Sequence, residues 1–199
     1  MDNYVYIVAG LPDLVLSFES SEFSYDAVRD YFYQLLSEKD QQTIALLEEG
    51  FDETALNEPF YAKAAQSKNR FIREYFDFDG RMRNLKVNYL AKRLGKESDP
   101  YLMNFSEADF EEEKQILEIF ENPDFVQREQ KMDELKWEKA NDIARMDYFN
   151  LNVILAFLVK AKIVQRWAVL DQEHGSEMFA TLVKEVKGTF DGIQFKQKN

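Results

Sequence analysis

His174 is the only histidine of the chain, so any histidine-based chemistry would have to use it. Asp171 and Glu177 stand three residues to either side, and on a helix the three side chains would share one face and could form a weak metal site. A solvated polar start of a helix explains the same spacing, and we favour it. The paired Glu-x-x-His motifs of a di-iron bundle are impossible, and a Ser-His-Asp triad could form only around this residue. We therefore expect no enzyme activity, no metal and no cofactor.

Three consecutive glutamates, Glu111, Glu112 and Glu113, form the densest acidic run, with further carboxylates between residues 107 and 121. Clustered carboxylates suit Ca²⁺ or Mg²⁺, but the glycine-containing loop of an EF-hand is absent. We interpret the run as a solvated acidic helix face, with docking of a basic partner as the alternative. The chain also lacks the Gly-x-x-x-x-Gly-Lys motif that cradles phosphates.

The segment from residue 81 to residue 96 is basic and contains no acidic residue. Two interpretations remain open: pairing with the acidic segment 107–121 inside the molecule, or binding of a partner. Exposed ion pairs contribute about 0–1 kcal/mol each, so internal pairs would orient helices rather than hold them together. The basic residues are Arg81, Arg83, Lys86, Lys92, Arg93 and Lys96.

Composition limits the class of protein. Of the 199 residues, 45% are hydrophobic and 31% charged, an ordinary balance for a folded domain. Seven glycines and four prolines are few, which favours long helices over tight turns, and there is no cysteine. A net charge of −12 argues against nucleic-acid binding. We see no secretory signal and no apolar run long enough to span a bilayer, so we expect a cytoplasmic protein without direct membrane insertion.

The helices must be located from local signals in the first half of the chain. Residues 4–12 are rich in β-branched and aromatic types and could form a strand or a short helix. Ser24 and Ser37 are plausible N-caps of two short helices, the second ending near Gly50. Apolar residues then recur at three- and four-residue steps from about Lys68 to Gly95, which predicts one long amphipathic helix.

Four further helices are predicted in the second half, the last of them through residues 179–186. Residues 106–109 resemble a capping box before a helix that Asn122 and Pro123 close. A mostly polar helix follows through residues 126–137. Residues 148–159 are apolar on nearly all sides, so we expect a buried helix that continues to Leu170 at the centre of the core. We expect a single, mainly α domain over residues 1–199.

A possible internal repeat links the two long apolar segments, at about 68–96 and 136–164. Residues of the first copy recur 68 positions later, and apolar residues between them align as well. We interpret each copy as a buried helix that is entered through an Asp and carries one internal Asn, which needs hydrogen-bond partners. The alternative is two unrelated amphipathic helices; duplication would give a bundle of two similar lobes. The matching pairs are Asp79 and Asp147, Asn84 and Asn152, Leu90 and Leu158, Lys92 and Lys160.

Residues 76–95, FDFDGRMRNLKVNYLAKRLG, resemble a signature of the C-subunit family of V-type and archaeal-type ATPases, known in eukaryotes as the d-subunit family. In that signature an acidic residue precedes an Asn-centred helix that ends in basic residues and Gly. The opening YVYIVAGLPDL is similar to the start of a short, functionally uncharacterised bacterial family encoded in V-type ATPase operons. The chain departs from the C-subunit family in having room for about two helical lobes instead of three, and in having Leu90 where a basic residue is usual.

The resemblance implies a non-catalytic structural part of a rotary ATPase. The C-subunit is a socket between the membrane rotor ring and the central stalk, and ATP hydrolysis belongs to other subunits. The implied partners are therefore subunits of a V-type ATPase, reached through charged surfaces of this chain. The alternative function is a cytoplasmic helical adaptor for another protein. The candidate partner-binding residues are Arg81, Arg83, Lys86, Arg93, Glu111, Glu112 and Glu113.

Overall fold

The computed structural model describes residues 4–16, 24–105 and 109–169. Within these residues the chain forms eight α-helices and a 3-10 turn at Asp99–Tyr101, and no strand, so the expected mainly helical fold is confirmed. The opening segment, for which the sequence allowed either a strand or a short helix, forms a helix. The helices are α1 (Tyr4–Ala9), α2 (Tyr25–Leu35), α3 (Glu38–Glu49), α4 (Glu58–Ala65), α5 (Arg70–Leu94), α6 (Glu113–Phe120), α7 (Phe125–Ala144) and α8 (Leu151–Val169).

Short polar side chains define where most of the helices begin. In each case the side-chain oxygen accepts a hydrogen bond from the backbone N–H three residues later, which satisfies one of the donors that a helix N-terminus leaves unpaired. The predicted caps Ser24 and Ser37 are both confirmed. Asn57, Asn69 and Asp124 do the same for α4, α5 and α7.

Helix α8 lies at the centre of the main hydrophobic core, as predicted from its apolar sequence. Ile154, Leu155 and Leu158 are fully buried, and α8 contacts α1, α2, α3, α5 and α7. The predicted start of this helix is wrong, because Tyr148 and Phe149 precede it and are 73% and 52% exposed. The side chain of Asn150 accepts a hydrogen bond from the backbone N–H of residue 152, which favours a helix start after it.

A second, much smaller hydrophobic cluster lies between α6 and the middle of α5 and α7. It is built on Phe78, Met82, Ile116, Phe120 and Leu135. Helices α5 and α7 pass through both clusters, since their other halves contribute to the main core. These two helices therefore connect the clusters rigidly.

Helix α5 is the longest element and makes a close contact near its middle. A methyl group on Gly80 would lie 1.9 Å from the ring of Phe105, so glycine is required for that ring to approach. The helix ends at Gly95, whose φ of +62° is the left-handed conformation of a helix C-cap. The chain then turns back, and the side-chain amide of Asn84 donates to the carbonyl of Met103 at 2.7 Å and accepts from its N–H at 3.0 Å.

Helix α6 begins later than the sequence suggested. The capping box was expected to start this helix at residues 106–109, but residues 109–112 are not helical and α6 begins at Glu113. Ser106 lies outside the described residues. Glu113 instead places a carboxylate in the first turn, where the helix dipole favours negative charge.

Candidate partner-binding groove

A narrow groove of about 150 Å³ runs between the C-terminal half of α5 and the N-terminal half of α7. Lys139, late in α7, lies over the ring of Phe78, in the first half of α5. Lys86, later in α5, is close enough to Glu129, early in α7, for its charge to lower the pKa of that carboxyl group. The two helices therefore run in opposite directions along the groove. We call this feature the α5–α7 groove. Its apolar lining consists of Met82, Tyr89, Leu90, Phe120, Phe125 and Met132.

The inner end of the α5–α7 groove is closed by a charge network around the buried carboxylate of Asp133. Asp133 is 1% exposed, and Arg166 of α8 donates to both of its carboxylate oxygens at 3.1 and 3.0 Å. The indole N–H of Trp167 donates to the same carboxylate at 2.7 Å. Arg166 reaches Glu129 through its other terminal nitrogen at 2.5 Å. One guanidinium thus joins two carboxylates of α7 to the last turns of α8.

The pKa values of the network follow from these contacts. Burial alone would raise the pKa of Glu129, but the hydrogen bond and charge of Arg166, with the charges of Lys86 and Lys136, outweigh it and lower the pKa. For Arg166, burial acts to lower the pKa, and the charges of Asp133 and Glu129 raise it above its ordinary value. Both groups are therefore ionised at neutral pH, and Arg166 neutralises charge at this end of the groove.

A second buried carboxylate, Asp79 of α5, is held in the wall of the groove. Its side chain accepts a hydrogen bond from the hydroxyl of Tyr61 at 2.6 Å and another from Nε of Arg83 at 3.1 Å. Burial raises the pKa of Tyr61, and the charge of Asp79 raises it further. The tyrosine remains a neutral donor, so Asp79 serves as a structural anchor between α4 and α5.

Nine charged side chains line the α5–α7 groove, five cationic and four acidic. Outside the pairs that Arg83 and Arg166 make, one carboxylate, Glu53, remains beside the cationic groups. Lys86 and Lys136 form no ion pair within 4.0 Å among the residues that the structure describes. Arg128 donates to the backbone carbonyl of Asn122 at 2.7 Å and lies over the ring of Phe125. Because Arg166 faces two carboxylates, five cationic groups against four carboxylates leave the lining with a slight positive excess, in a chain of net charge −12.

The part of α5 beyond the groove is exposed. No residue of α5 after Met82 is buried, and Leu90 and Leu94 are 36% and 53% exposed. Lys86, Leu90, Arg93 and Leu94 follow one another at short helical steps, so they share one side of the helix. Tyr89, on the neighbouring face, packs against the ring of Phe120 and donates to its carbonyl at 2.8 Å.

The structure does not support the predicted equivalence of the two helical segments. Asp79 lies in the middle of α5, which begins after Asn69, so the interpretation that each helix is entered through its Asp is wrong for this residue. Asp147 precedes α8. There it accepts hydrogen bonds from Asn150 and from Asn152, at 2.6 and 3.0 Å, and pairs with Arg70.

The other matched pairs also occupy unlike positions. Asn84 binds the backbone of Met103 from the middle of a helix, whereas Asn152 is in the first turn of α8 and accepts from the side chain of Asn69 at 2.9 Å. The two leucines differ as well, since Leu90 is partly exposed and its counterpart Leu158 fully buried. Lys92 is exposed, and its counterpart Lys160 lies over the ring of Trp137. The alternative of two unrelated amphipathic helices fits these positions.

The ion-pair partners that the structure describes for the basic segment 81–96 lie on α5 itself. Arg81 pairs with Asp77 and Arg83 with Asp79, each one turn earlier in the helix. Arg81 also lies over the ring of Phe110, which is its contact with the acidic segment. Of the three consecutive glutamates, Glu112 pairs with Lys139 of α7, and its two neighbours Glu111 and Glu113 are exposed.

A wider groove of about 680 Å³ lies on another side of α5, against the C-terminal half of α7. Several of its charged groups already have partners: Arg70 pairs with Glu74 and Asp147, and Arg81 with Asp77. Six carboxylates and four cationic groups line this groove, so it is acidic, whereas five cationic groups and four carboxylates line the α5–α7 groove.

Some predictions fall outside the described residues, namely the site at His174, Asp171 and Glu177 and the helix through residues 179–186. Among residues 4–16, 24–105 and 109–169, no group of three or more acidic or histidine side chains is arranged to hold a metal ion. In the same part of the chain, every helix is too short or too polar to cross a membrane.

The sequence did not reveal the network of Asp133, Glu129 and Arg166. Asp133 stands in a helix that is mostly polar, so nothing local distinguishes it from solvated carboxylates nearby. The available signal was Trp167 near the end of an otherwise apolar helix, because a buried indole N–H requires an acceptor.

Comparison with known proteins identifies the family. The sequence profile of the DUF2764 family, described as a protein of unknown function, matches residues 1–58, 52–112 and 103–189. Searches of curated proteins and of solved structures gave no significant match. The matched segments together cover most of the chain. The chain therefore belongs to the DUF2764 family.

Proposed function

We propose that this protein is a non-catalytic coupling subunit of a V-type rotary ATPase, bound between the central stalk and the membrane rotor ring in the manner of the C-subunit. The observation that carries the proposal is residues 76–95. This segment resembles the C-subunit signature, and its second part, residues 83–94, leaves the core and carries exposed cations and leucines.

The way α5 is anchored supports a mechanical role. A subunit that transmits torque works through stiffness and shape instead of through a reaction. Helix α5 has one half in the main core and the other against the smaller cluster. The two hydrogen bonds between Asn84 and Met103 tie the returning chain to its outer half. A load applied to the exposed end would therefore be passed to the core through a continuous helix.

The charge distribution also supports a role in assembly. The chain is acidic overall, whereas the α5–α7 groove carries a slight excess of cationic groups, so an approaching partner would experience different fields on different sides. Such asymmetry mainly sets the orientation and the rate of association. A subunit that must be inserted in one direction between two others benefits from both effects.

Reconstitution with purified rotary ATPase components tests the proposal. The full chain is mixed at low salt with the central-stalk subunits and, separately, with the detergent-solubilised rotor ring, and complexes are detected by size-exclusion chromatography. We expect a stable complex with at least one of them that weakens as salt is raised. The absence of any complex at low salt would overturn the proposal and leave a helical adaptor for another protein as the better account.

A pair of charge-reversed variants then locates the contact. One variant carries Arg81→Glu, Arg83→Glu and Lys86→Glu, and the other carries Glu111→Lys, Glu112→Lys and Glu113→Lys. Circular dichroism confirms that each is folded before binding is measured. We expect slower assembly and stronger salt dependence in at least one of them. Equal behaviour of both variants and the wild type would remove these two segments from the docking surface.

A further inference from the structure

The α5–α7 groove combines a hydrophobic floor with a cationic rim. Leu90 and Phe125 line its outer part from opposite helices, and both expose more than a third of their surface to solvent. Lys86 lies on the α5 side, and Arg128 and Lys136 on the α7 side, with the carboxylates of Glu53 and Glu129 among them. Arg93 follows Lys86 on the same face of α5, beyond the lining of the groove. Exposed apolar side chains beside an excess of cationic groups are typical of a site that covers them with a partner of opposite charge.

We infer that the α5–α7 groove binds an acidic amphipathic helix of a partner protein. The open face of α5 runs from Arg83 to Leu94, a length of about 17 Å, which matches about three turns of helix. The partner would place apolar side chains at three- and four-residue steps on Leu90, Leu94 and Phe125, with glutamates or aspartates on either flank. The inference rests on the proposed function, because it names the surface by which the coupling subunit holds a neighbour.

The shape and extent of the exposed apolar surface decide between this partner and a membrane. Lipid-bound amphipathic helices insert a wide apolar face into the bilayer. In α5 the apolar residues Leu85 and Tyr89 are already packed against the smaller cluster, and only a narrow stripe around Leu90 and Leu94 remains exposed. The floor of the groove is also recessed between two helices, where a flat lipid surface does not reach but a protruding helix does.

A second copy of the chain is a poorer occupant. Its acidic helix, α6, already buries Ile116, Ile119 and Phe120 against its own smaller cluster. The large apolar side chain that this helix leaves exposed is Leu117, at 37%. One such side chain cannot cover the stripe on α5, so the partner must supply a helix whose apolar face is still exposed.

Binding of a synthetic peptide to the full chain tests the inference. The probe is a fluorescent helical peptide of about 20 residues, with leucines at i, i+3 and i+7 flanked by glutamates, and its twin has lysine in place of every glutamate. Fluorescence anisotropy at low salt should show saturable binding of the acidic peptide, at least about tenfold tighter than that of the basic twin. Equal binding of the two peptides, or no binding of the acidic one, would overturn the inference.

Variants show whether the groove is the binding site. Lys86→Gln/Lys136→Gln and Leu90→Ser should each weaken binding of the acidic peptide by about tenfold. Lys92→Glu is the matched control, since Lys92 is on the opposite face of α5, and it should change the affinity by less than about twofold. The neutral glutamines avoid placing new carboxylates beside Glu129, and thermal melts confirm folding. An equal loss in the control would place the binding site elsewhere and contradict the inference.

Three other measurements separate the remaining outcomes. Sedimentation with phosphatidylserine vesicles should show no binding of the protein. Analytical ultracentrifugation should show either no self-association or a self-association that the Leu90→Ser variant retains. Binding to the vesicles, or a self-association that Leu90→Ser abolishes, would show that the groove binds a membrane or a second copy instead. If the groove variants bind rotary ATPase components as well as the wild type does, the inference fails while the proposed function stands. If the acidic peptide binds as expected but no rotary component does, the groove stands and the proposed function fails.

Discussion

At the scale of single residues, Asp133 shows how a buried charge can position two helices. It is 1% exposed and joins α7 to Arg166 and to the indole of Trp167 on α8. A buried carboxylate is tolerated only with such partners, because transfer of an unpaired charge out of water is costly. The network therefore fixes the distance between α7 and α8 at the inner end of the α5–α7 groove.

Removal of this carboxylate should destabilise the protein. Asp133→Ala leaves the Trp167 N–H and part of the Arg166 guanidinium without acceptors, which costs about 1–3 kcal/mol for a buried donor. Chemical denaturation monitored by tryptophan fluorescence measures the free energy of unfolding. The control is Asp142→Ala on the same helix, an exposed residue whose pair with Arg145 is at the surface, with an expected change within about 0.5 kcal/mol. Equal stability of the two variants would contradict the role given to Asp133.

Asp147 should make stability depend on pH. Burial alone would raise its pKa, but hydrogen bonds from Asn152, Asn150 and Arg70 outweigh it and lower the pKa. A carboxyl group whose pKa is lowered by folding contributes stability above its unfolded value of about 4, and this contribution is lost as the pH falls through the lower folded value. Asp147→Asn should therefore destabilise the protein at pH 7, and the difference from wild type should shrink below about pH 3. A difference that is the same at both pH values would contradict this.

At the scale of helices, the sequence correctly predicted the features that depend on local interactions, such as the helix caps. The caps Ser24 and Ser37 and the left-handed Gly95 act within a few residues, and each was recognisable from residue type. The apolar character of α8 correctly indicated a central helix. The predicted start of α6 was wrong, because a capping-box pattern does not by itself show that the residues after it are helical. These boundaries depend on packing as well as on propensity.

The candidate site was less predictable because its contacts are distant in sequence. Asn84 and Asn152 looked alike, yet one binds a backbone 19 residues away and the other a side chain 83 residues away. Apolar periodicity shows which face of a helix is buried but not what covers it. The basic stretch was visible in the sequence, whereas its position beside α7 and Phe125 required the fold.

Helix α5 offers a test through Gly80 and the ring that packs on it. Alanine normally favours a helix over glycine by about 1 kcal/mol, but here its methyl group would overlap the ring of Phe105, and overpacking costs about 1–3 kcal/mol. We expect Gly80→Ala to destabilise the wild type but to stabilise the Phe105→Ala variant. Denaturant unfolding of the four proteins gives the coupling energy. The same sign in both backgrounds would show that the ring does not restrict this position.

At the scale of the whole molecule, the two hydrophobic clusters differ greatly in size while sharing α5 and α7. The main core surrounds α8, and the smaller cluster holds α6. Local stability follows the amount of buried apolar surface, so the two parts should open with different free energies. The α5–α7 groove lies beside the smaller cluster.

Hydrogen exchange should separate these two parts. In the wild type, amides of α6 should exchange faster than those of α8. Ile116→Ala removes a fully buried side chain at a cost of about 2–5 kcal/mol and should speed exchange in α6 while leaving α8 protected. The control Leu155→Ala, in the main core, should speed exchange in both helices. Loss of protection across the whole chain in the first variant would show that the clusters unfold as one unit.

The return of the chain after α5 has a practical consequence. The segment that follows α5 is held at both ends, by the C-cap at Gly95 and by the hydrogen bonds between Asn84 and Met103. Asp99, between these two points, is exposed. The sequence contains no cysteine. Asp99→Cys would therefore create a unique thiol on a short surface loop, where substitution is tolerated best. A single dye attached there would turn the protein into a reporter of its own rotation, in any assembly that turns it.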